Sequence, residues 1–178
     1  MKPVGIGLIG CGLRLQGLAK RLLTVAGDKV KIVAVHDKNP ASIAEAREKL
    51  NLGDVTVHDS VASLVNDPQI QWVMIGSWNC YHREHAVAAM EAGKDVFCEK
   101  PMATTMEDCL AIRDAQQRTG RRFFLGFTLR YSPLYRKVRE VVEAGTLGRI
   151  ISLEFNETLG FNHGGYIHQN WRRKRENA

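Results

Sequence analysis

Two glycines, Gly10 and Gly12, are the residues whose type and spacing point most directly to chemistry. They follow the short apolar run Val4–Ile9 and precede a stretch in which apolar residues recur at helical spacing. A glycine turn at such a junction presents backbone N–H groups and the positive end of a helix, and both favour binding of a phosphate. The sequence therefore predicts a phosphate-binding turn between a strand and a helix.

Two overlapping glycine patterns compete for this role. Gly5-x-Gly7-x-x-Gly10 lies inside the apolar run, where no turn is available to hold a phosphate, so we discard it. The pattern that starts at Gly10 has Leu15 in its third position, and the next glycine comes only at Gly17. The third glycine of the G-x-G-x-x-G fingerprint allows close packing of helix on strand, so we expect looser packing here, and an ordinary tight turn stays an alternative.

Asp37 strengthens the interpretation of the glycine turn as a dinucleotide site. It directly follows Val30–His36, a second apolar run, and stands about twenty-five residues after Gly12. At that position an acidic side chain accepts hydrogen bonds from the adenosine ribose. The alternative is an aspartate that caps the next helix. Because of Asp37, the expected cofactor is NAD. NADP is the alternative, since the side chain of Lys38 or Arg14 could bind a 2′-phosphate.

A further motif, Glu99-Lys100-Pro101, follows the apolar run Asp95–Cys98 and opens onto the carboxyl edge of the predicted sheet. With the glycine turn and Asp37 it makes the chain resemble the Gfo/Idh/MocA family of sugar and cyclitol dehydrogenases. The resemblance extends over nearly the whole chain and also includes Asn79-x-x-His82, Ala92-Gly-Lys94 and Gly126-Phe127…Arg130…Pro133. Trp78 departs from the family pattern, which usually has a proline before the asparagine.

The resemblance implies hydride transfer between a nicotinamide and a secondary alcohol of a sugar or cyclitol, with Lys100 as the catalytic residue facing the substrate. Its ammonium would donate a hydrogen bond to the substrate oxygen and stabilise developing alkoxide charge. Side chains of adjacent residues on extended backbone diverge, so Glu99 would anchor the turn. The resemblance also implies a cis Lys100–Pro101 bond and a catalytic aspartate and histidine, which we expect in a segment after Ala178.

The candidate cofactor-binding residues share a place at the ends of the predicted strands. They are Gly10, Gly12, Leu13, Arg14, Asp37, Ser77, Asn79, His82, Glu99 and, as the weakest member, Arg130. A residue that merely starts a helix is the alternative for His82. We expect no metal, because Cys80, His82 and His85 offer three ligands within six residues and no fourth partner.

Alternating short apolar runs and helical stretches predict the elements that must position these residues. The pattern from the start to about Gly148 is typical of βαβ units in an α/β fold with a doubly wound parallel sheet, the Rossmann architecture. Asn39-Pro40 and Thr104-x-x-Glu107 predict helix starts. Alternation in residues 150–156 predicts the first strand of a second α/β domain. We thus expect a dinucleotide-binding domain at 1–148 and an incomplete second domain at 149–178.

Composition and charge argue against several classes of function. The 178 residues carry a net charge of +6, of which Arg172, Arg173, Lys174 and Arg175 supply four, so a nucleic-acid-binding face is not expected. The run Trp171–Arg175 resembles a substrate-side segment of the family, and a solvated basic run is the alternative. No run of about eighteen apolar residues exists, and the four cysteines form no C-x-x-C pair. We expect a cytoplasmic homo-oligomeric enzyme without membrane contact, or alternatively a dinucleotide-binding module without turnover.

Overall fold

A computed structural model describes residues 2–158, 160, 165 and 170–177. Six parallel strands form one sheet in the order β3-β2-β1-β4-β5-β6, the doubly wound order predicted from the sequence. The strands are β1 Val4–Ile9, β2 Val30–His36, β3 Thr56–Val57, β4 Trp72–Ile75, β5 Asp95–Cys98 and β6 Phe123–Leu125.

Among the described residues, six α-helices join and follow the strands. They are α1 Leu13–Ala26, α2 Pro40–Lys49, α3 Val61–Val65, α4 His82–Glu91, α5 Met106–Thr119 and α6 Pro133–Glu143. Short 3₁₀ turns occur at Gly27–Lys29, Asn79–Tyr81, Thr128–Tyr131 and Asn170–Arg173. None of the helices in the described ranges has the length and apolar character needed to cross a bilayer.

The apolar side chains form one core layer on each face of the sheet. One layer joins β1 and β2 to α1 and α2 through residues such as Leu8, Leu15 and Ile43. The other joins β4 and β5 to α3, α4 and α5 and includes Met90 and Ile112. Because both faces are covered, the central strands β1, β4 and β5 are buried along almost their whole length, whereas the edge strand β3 is exposed.

The helix starts agree with the sequence at α2 and differ by one residue at α5. The Asn39 side chain accepts a hydrogen bond from the N–H of Ala41, with Pro40 in the first turn, as predicted. At α5 the predicted cap Thr104 is wrong. The N-cap is Thr105, whose hydroxyl accepts from the N–H of Asp108 at 3.1 Å, so a Thr-x-x-Asp pair takes the place of the expected Thr-x-x-Glu pair.

The chain divides into two compact units, residues 1–126 with 176–178 and residues 127–175. The first contains the sheet, and the second contains α6. The strand predicted at residues 150–156 is wrong, since residues 150–158 have no regular secondary structure. A strand requires a neighbour for its backbone hydrogen bonds, and the described residues supply none for this segment. The domain boundary at Gly148 stays a prediction.

Candidate dinucleotide site

The residues singled out from the sequence, with Arg130 excepted, gather at the carboxyl edge of the sheet. Gly10 follows β1, Asp37 follows β2, Ser77 follows β4 and Glu99 follows β5, and these four strands are neighbours in the order β2-β1-β4-β5. In a doubly wound sheet the strand order reverses beside β1, and ligands bind in the crevice above that point. The fold thus brings the predicted residues into one crevice.

Gly10 gives the turn after β1 its shape. Its φ of +84° lies in the left-handed region, and its N–H donates to the His36 carbonyl oxygen at 2.9 Å. A Cβ at this position would stand 2.4 Å from the backbone nitrogen of Ser77. Only glycine therefore allows the loop after β4 to approach the turn this closely.

Gly12 has a different role because its surroundings are open. It is the N-cap of α1 with an ordinary φ of −70°, and no side chain caps the helix there. A Cβ at Gly12 would meet nothing within 4 Å. The first turn of α1, which begins with exposed Leu13 and Arg14, contains no acidic side chain. The turn thus offers uncapped helix N–H groups and space for an anionic phosphate.

Leu15 explains how the fold manages without the third glycine of the fingerprint. Its buried side chain packs against Gly76, where an added Cβ would stand 2.8 Å from the Leu15 Cβ. The sequence led us to expect looser packing between helix and strand at this point. Instead the small residue comes from the loop after β4, so the close approach is kept while the large side chain lies on the helix.

Asp37 ties the end of β2 to the glycine turn. Its Oδ2 accepts from the Cys11 N–H at 2.6 Å and its Oδ1 accepts from the Asn39 N–H at 2.8 Å. Asn39 is the N-cap of α2, so Asp37 does not cap the helix itself, but its bond to the Asn39 N–H also holds the residue that does. The carboxylate is only partly buried, and each oxygen keeps a second lone pair that can accept a ribose hydroxyl.

Glu99 and Lys100 diverge as expected from their adjacency. Glu99 is 5% exposed, and its Oε1 accepts from Arg14 Nε at 3.0 Å while its Oε2 accepts from the Lys100 N–H at 3.1 Å. Lys100 is exposed, and the Lys100–Pro101 bond is cis. The structure therefore makes Glu99 an anchor between α1 and the lysine turn, while the Lys100 side chain extends into solvent.

Ser77 and the two histidines of α4 pack behind the loop after β4. The Ser77 hydroxyl lies 2.9 Å from His85 Nδ1. His82 is buried, with both ring nitrogens facing backbone carbonyl oxygens. Burial, with nearby positive charge, lowers the pKa of His85 to about 4. Within the described ranges, no group of three potential ligands is arranged to hold a metal ion.

Two contacts near the glycine turn were not predicted from the sequence. Lys38 Nζ lies 4.5 Å from the centre of the Tyr81 ring, and that ring also stacks with Trp78 and His85. Buried Gln16 donates from Nε2 to the Cys11 carbonyl at 2.7 Å and supports the glycine turn from below. A polar residue on the apolar face of α1 was the available signal for Gln16. No periodicity predicts the contact of Lys38 with Tyr81.

Asn79 and Arg130 complete the predicted set. Asn79 is half-buried and begins the 3₁₀ turn after β4. Arg130 belongs to the second unit, where its guanidinium lies over the Phe127 ring. The cofactor contacts of both residues stay predictions.

The strand order, the glycine turn and the aspartate after β2 define a dinucleotide-binding domain of the Rossmann class. A family model described as "Oxidoreductase family, NAD-binding Rossmann fold" matches residues 4–127. The chain therefore belongs to the Gfo/Idh/MocA oxidoreductase family.

Individual relatives are named for one kind of activity. The chain is 35% identical over 164 residues to an inositol 2-dehydrogenase of Gluconacetobacter diazotrophicus, covering 90% of this chain and 48% of that protein. It is 40% identical over 149 residues to inositol 2-dehydrogenase 3 of Saccharopolyspora erythraea, covering 82% and 42%. The chain thus spans about half the length of the curated relatives that it matches.

A solved structure gives the corresponding three-dimensional likeness. Scyllo-inositol dehydrogenase from Lactobacillus casei, with bound cofactor NAD(H) and scyllo-inositol, superposes with a TM-score of 0.74 at 28% identity. The match covers 84% of this chain and 43% of the Lactobacillus protein.

Proposed function

We propose that this chain is the NAD(H)-binding part of a dehydrogenase that transfers a hydride between nicotinamide and a secondary alcohol of a sugar or cyclitol. The observation that carries the proposal is the Asp37 carboxylate, held by the Cys11 amide beside the open turn at Gly12. The names of the relatives and the ligands of the Lactobacillus structure support a cyclitol substrate.

NAD is favoured over NADP by the charge at the end of β2. A carboxylate fixed at that position accepts ribose hydroxyls and repels a 2′-phosphate. Lys38 follows directly, but its ammonium lies over the Tyr81 ring. The residues present fit the dinucleotide, because the turn at Gly12 faces open space in which an added Cβ would meet no other atom within 4 Å.

The chemistry is divided between the cofactor and the chain. Bound NAD supplies the hydride acceptor. Lys100 is the proposed catalytic residue, since its exposed ammonium can donate to the substrate oxygen and stabilise negative charge that develops there. Glu99 accepts from the Lys100 N–H and thereby fixes the backbone from which that side chain extends.

Oligomeric state, compartment and partners are part of the same proposal. We expect a homo-oligomer in the cytoplasm with a small-molecule substrate and without nucleic-acid or membrane partners. The competing function is a dinucleotide-binding module without turnover, which the match of an NAD-binding domain model to residues 4–127 supports.

A titration of the chain with NADH, followed by nicotinamide fluorescence, tests the proposal. We expect saturable NADH binding. NAD⁺ should displace the bound NADH, whereas duplex DNA should not. Absence of NADH binding would refute the dinucleotide site. An assay with myo-inositol and NAD⁺ then separates the two functions, because oxidation by this chain alone would exclude the binding-module alternative.

A further inference from the structure

His82 lies where two functional loops meet, and both its ring nitrogens are engaged. It is the first residue of α4 and is 1% exposed. Nδ1 lies 2.8 Å from the Pro101 carbonyl oxygen, and Nε2 lies 3.2 Å from the Ser77 carbonyl oxygen. The ring therefore contacts backbone on both sides and presents no polar atom to the crevice.

The two loops belong to different parts of the candidate site. Ser77 directly follows the glycine whose amide donates to the Ile9 carbonyl, and its own backbone nitrogen lies against Gly10 at the phosphate-binding turn. Pro101 follows Lys100 directly. The hydrogen bonds from β4 to β5 end at the Glu99 N–H and the Ile75 carbonyl, 2.9 Å apart. Beyond that point the His82 ring continues the connection between the two loops.

The two ring contacts of His82 differ in length, and the shorter one is to Pro101. A neutral imidazole has one N–H and one lone pair, so it can donate to only one of two carbonyl oxygens. Burial lowers the pKa of His82, although the Pro101 and Ser77 carbonyls and the charge of Glu99 act in the opposite direction. The Nδ1 contact thus joins the ring to Pro101, the residue next to the proposed catalytic lysine, and the Nε2 contact joins it to Ser77.

We infer that His82 is a positioning residue for Lys100, holding the Pro101 backbone at a fixed distance from the loop that carries Ser77. This inference rests on the proposed function, because it is Lys100 whose direction matters for the substrate oxygen. It also replaces the sequence-based prediction that the His82 side chain contacts the cofactor, since its two nitrogens already face protein carbonyls.

Three variants of the full chain test this role. His82→Phe keeps a planar ring but removes both nitrogens, and His82→Gln restores one N–H donor. His58→Phe is the matched control, because His58 also has both ring nitrogens engaged, by the Ser63 hydroxyl at 2.6 Å and the Asp67 carboxylate at 3.2 Å. His58 belongs to the segment between β3 and α3. In the sheet, β2, β1 and β4 separate β3 from β5, the strand that precedes Lys100.

Two measurements report on the position of Lys100. Amide hydrogen exchange by mass spectrometry follows residues 76–79 and 99–103. The ¹³C NMR signal of ¹³C-dimethylated Lys100, assigned by its loss in Lys100→Arg, follows the side chain. In His82→Phe we expect both segments to exchange roughly tenfold faster, as loss of one buried hydrogen bond allows, with the core strands unchanged. The Lys100 signal should move from its position in the unmodified chain, and His82→Gln should restore part of both effects.

Several outcomes would overturn the inference. Faster exchange across the whole sheet in His82→Phe would show a general packing role. An unmoved Lys100 signal in His82→Phe, or an equal Lys100 shift in His58→Phe, would show that His82 does not specifically position the lysine. If His82→Phe fails to fold, His82→Gln decides, because it must show the same local effects at smaller size. NADH titration of the unmodified chain separately tests the proposed function, since its failure would leave the exchange and NMR results intact.

Discussion

At the residue scale, two carboxylates at strand ends serve different purposes. The sequence placed Asp37 and Glu99 together as cofactor-binding candidates. Both oxygens of Glu99 are engaged by Arg14 and by the Lys100 amide, and the side chain is buried. Asp37 is also braced by two amides but is only partly buried, so it alone of the pair keeps acceptor capacity toward the crevice. Residue type and spacing predicted where these carboxylates stand, whereas their exposure depends on the neighbouring helix α1.

Replacing Asp37 tests the ribose contact. Hydrogen bonds to a charged group contribute about 1.5–3 kcal/mol, so Asp37→Ala should weaken NADH binding roughly ten- to a hundredfold. Asp37→Asn keeps the acceptor oxygen without the charge and should weaken NADH less while weakening discrimination against NADPH. Isothermal titration calorimetry with both cofactors measures this. Tighter binding of NADPH than of NADH to the unmodified chain would contradict the assignment.

Replacing Lys100 separates catalysis from cofactor binding. In this chain Lys100→Ala should leave NADH affinity within about twofold, because the Gly12 turn and Asp37 do not depend on its ammonium. In a dehydrogenase that carries this domain, the same change should lower turnover about a hundred- to a thousandfold, as loss of one preorganised donor does. Equal losses in affinity and turnover would instead assign Lys100 to the cofactor.

His85 should make the stability of the chain depend on pH. Burial lowers its pKa from 6.5 to about 4 in the folded state. Between these values the unfolded chain takes up a proton that the folded chain does not, so the free energy of unfolding falls as pH decreases from about 6.5 to about 4. The loss should be about 2–3 kcal/mol. Urea unfolding of the chain and of His85→Gln across this range gives the difference, and parallel curves would exclude the effect.

At the element scale, the junction of β1 with α1 shows what a pattern can and cannot predict. Apolar runs located β1, β2 and β5 with the bounds that the structure has, since buried parallel strands are almost continuously apolar. They did not show that Gly76 would accept Leu15, because that contact joins residues sixty-one positions apart. They also failed at residues 150–156, where alternation alone cannot form a strand without a partner.

The two glycines of the turn should therefore respond differently to alanine. Gly10→Ala should lower the free energy of unfolding by about 2–5 kcal/mol, because φ is +84° and the added Cβ meets the Ser77 backbone. Gly12→Ala should leave stability within about 1 kcal/mol, since its Cβ meets nothing, yet weaken NADH roughly ten- to a hundredfold. Urea unfolding and NADH titration measure the pair. Unchanged NADH binding in Gly12→Ala would exclude a phosphate above this turn.

At the scale of the whole molecule, the second unit presents apolar side chains that its own described residues do not bury. Leu134, Val138 and Val142 lie along one side of α6 and are exposed. Ile151 is 89% exposed, and Leu153 and Phe155 are also exposed. Apolar patches of this kind generally mark contacts with another domain or another subunit. The alternative is that residues 158–178 fold back across residues 150–156, and part of that segment lies outside the described residues.

We therefore expect this chain to self-associate through the segment that contains Ile151 and Phe155. Pairing with the same segment of a second copy would satisfy its backbone groups and bury its apolar side chains together. Ile151→Ser with Phe155→Ser should raise the monomer fraction in size-exclusion chromatography with light scattering. Val25→Ser is the matched control, since Val25 is 87% exposed on α1 within the first unit and should leave the fraction unchanged. A clean monomer whose residues 150–156 exchange amide hydrogens as slowly as the core strands would rule out the pairing, because those amides would then be protected within one chain.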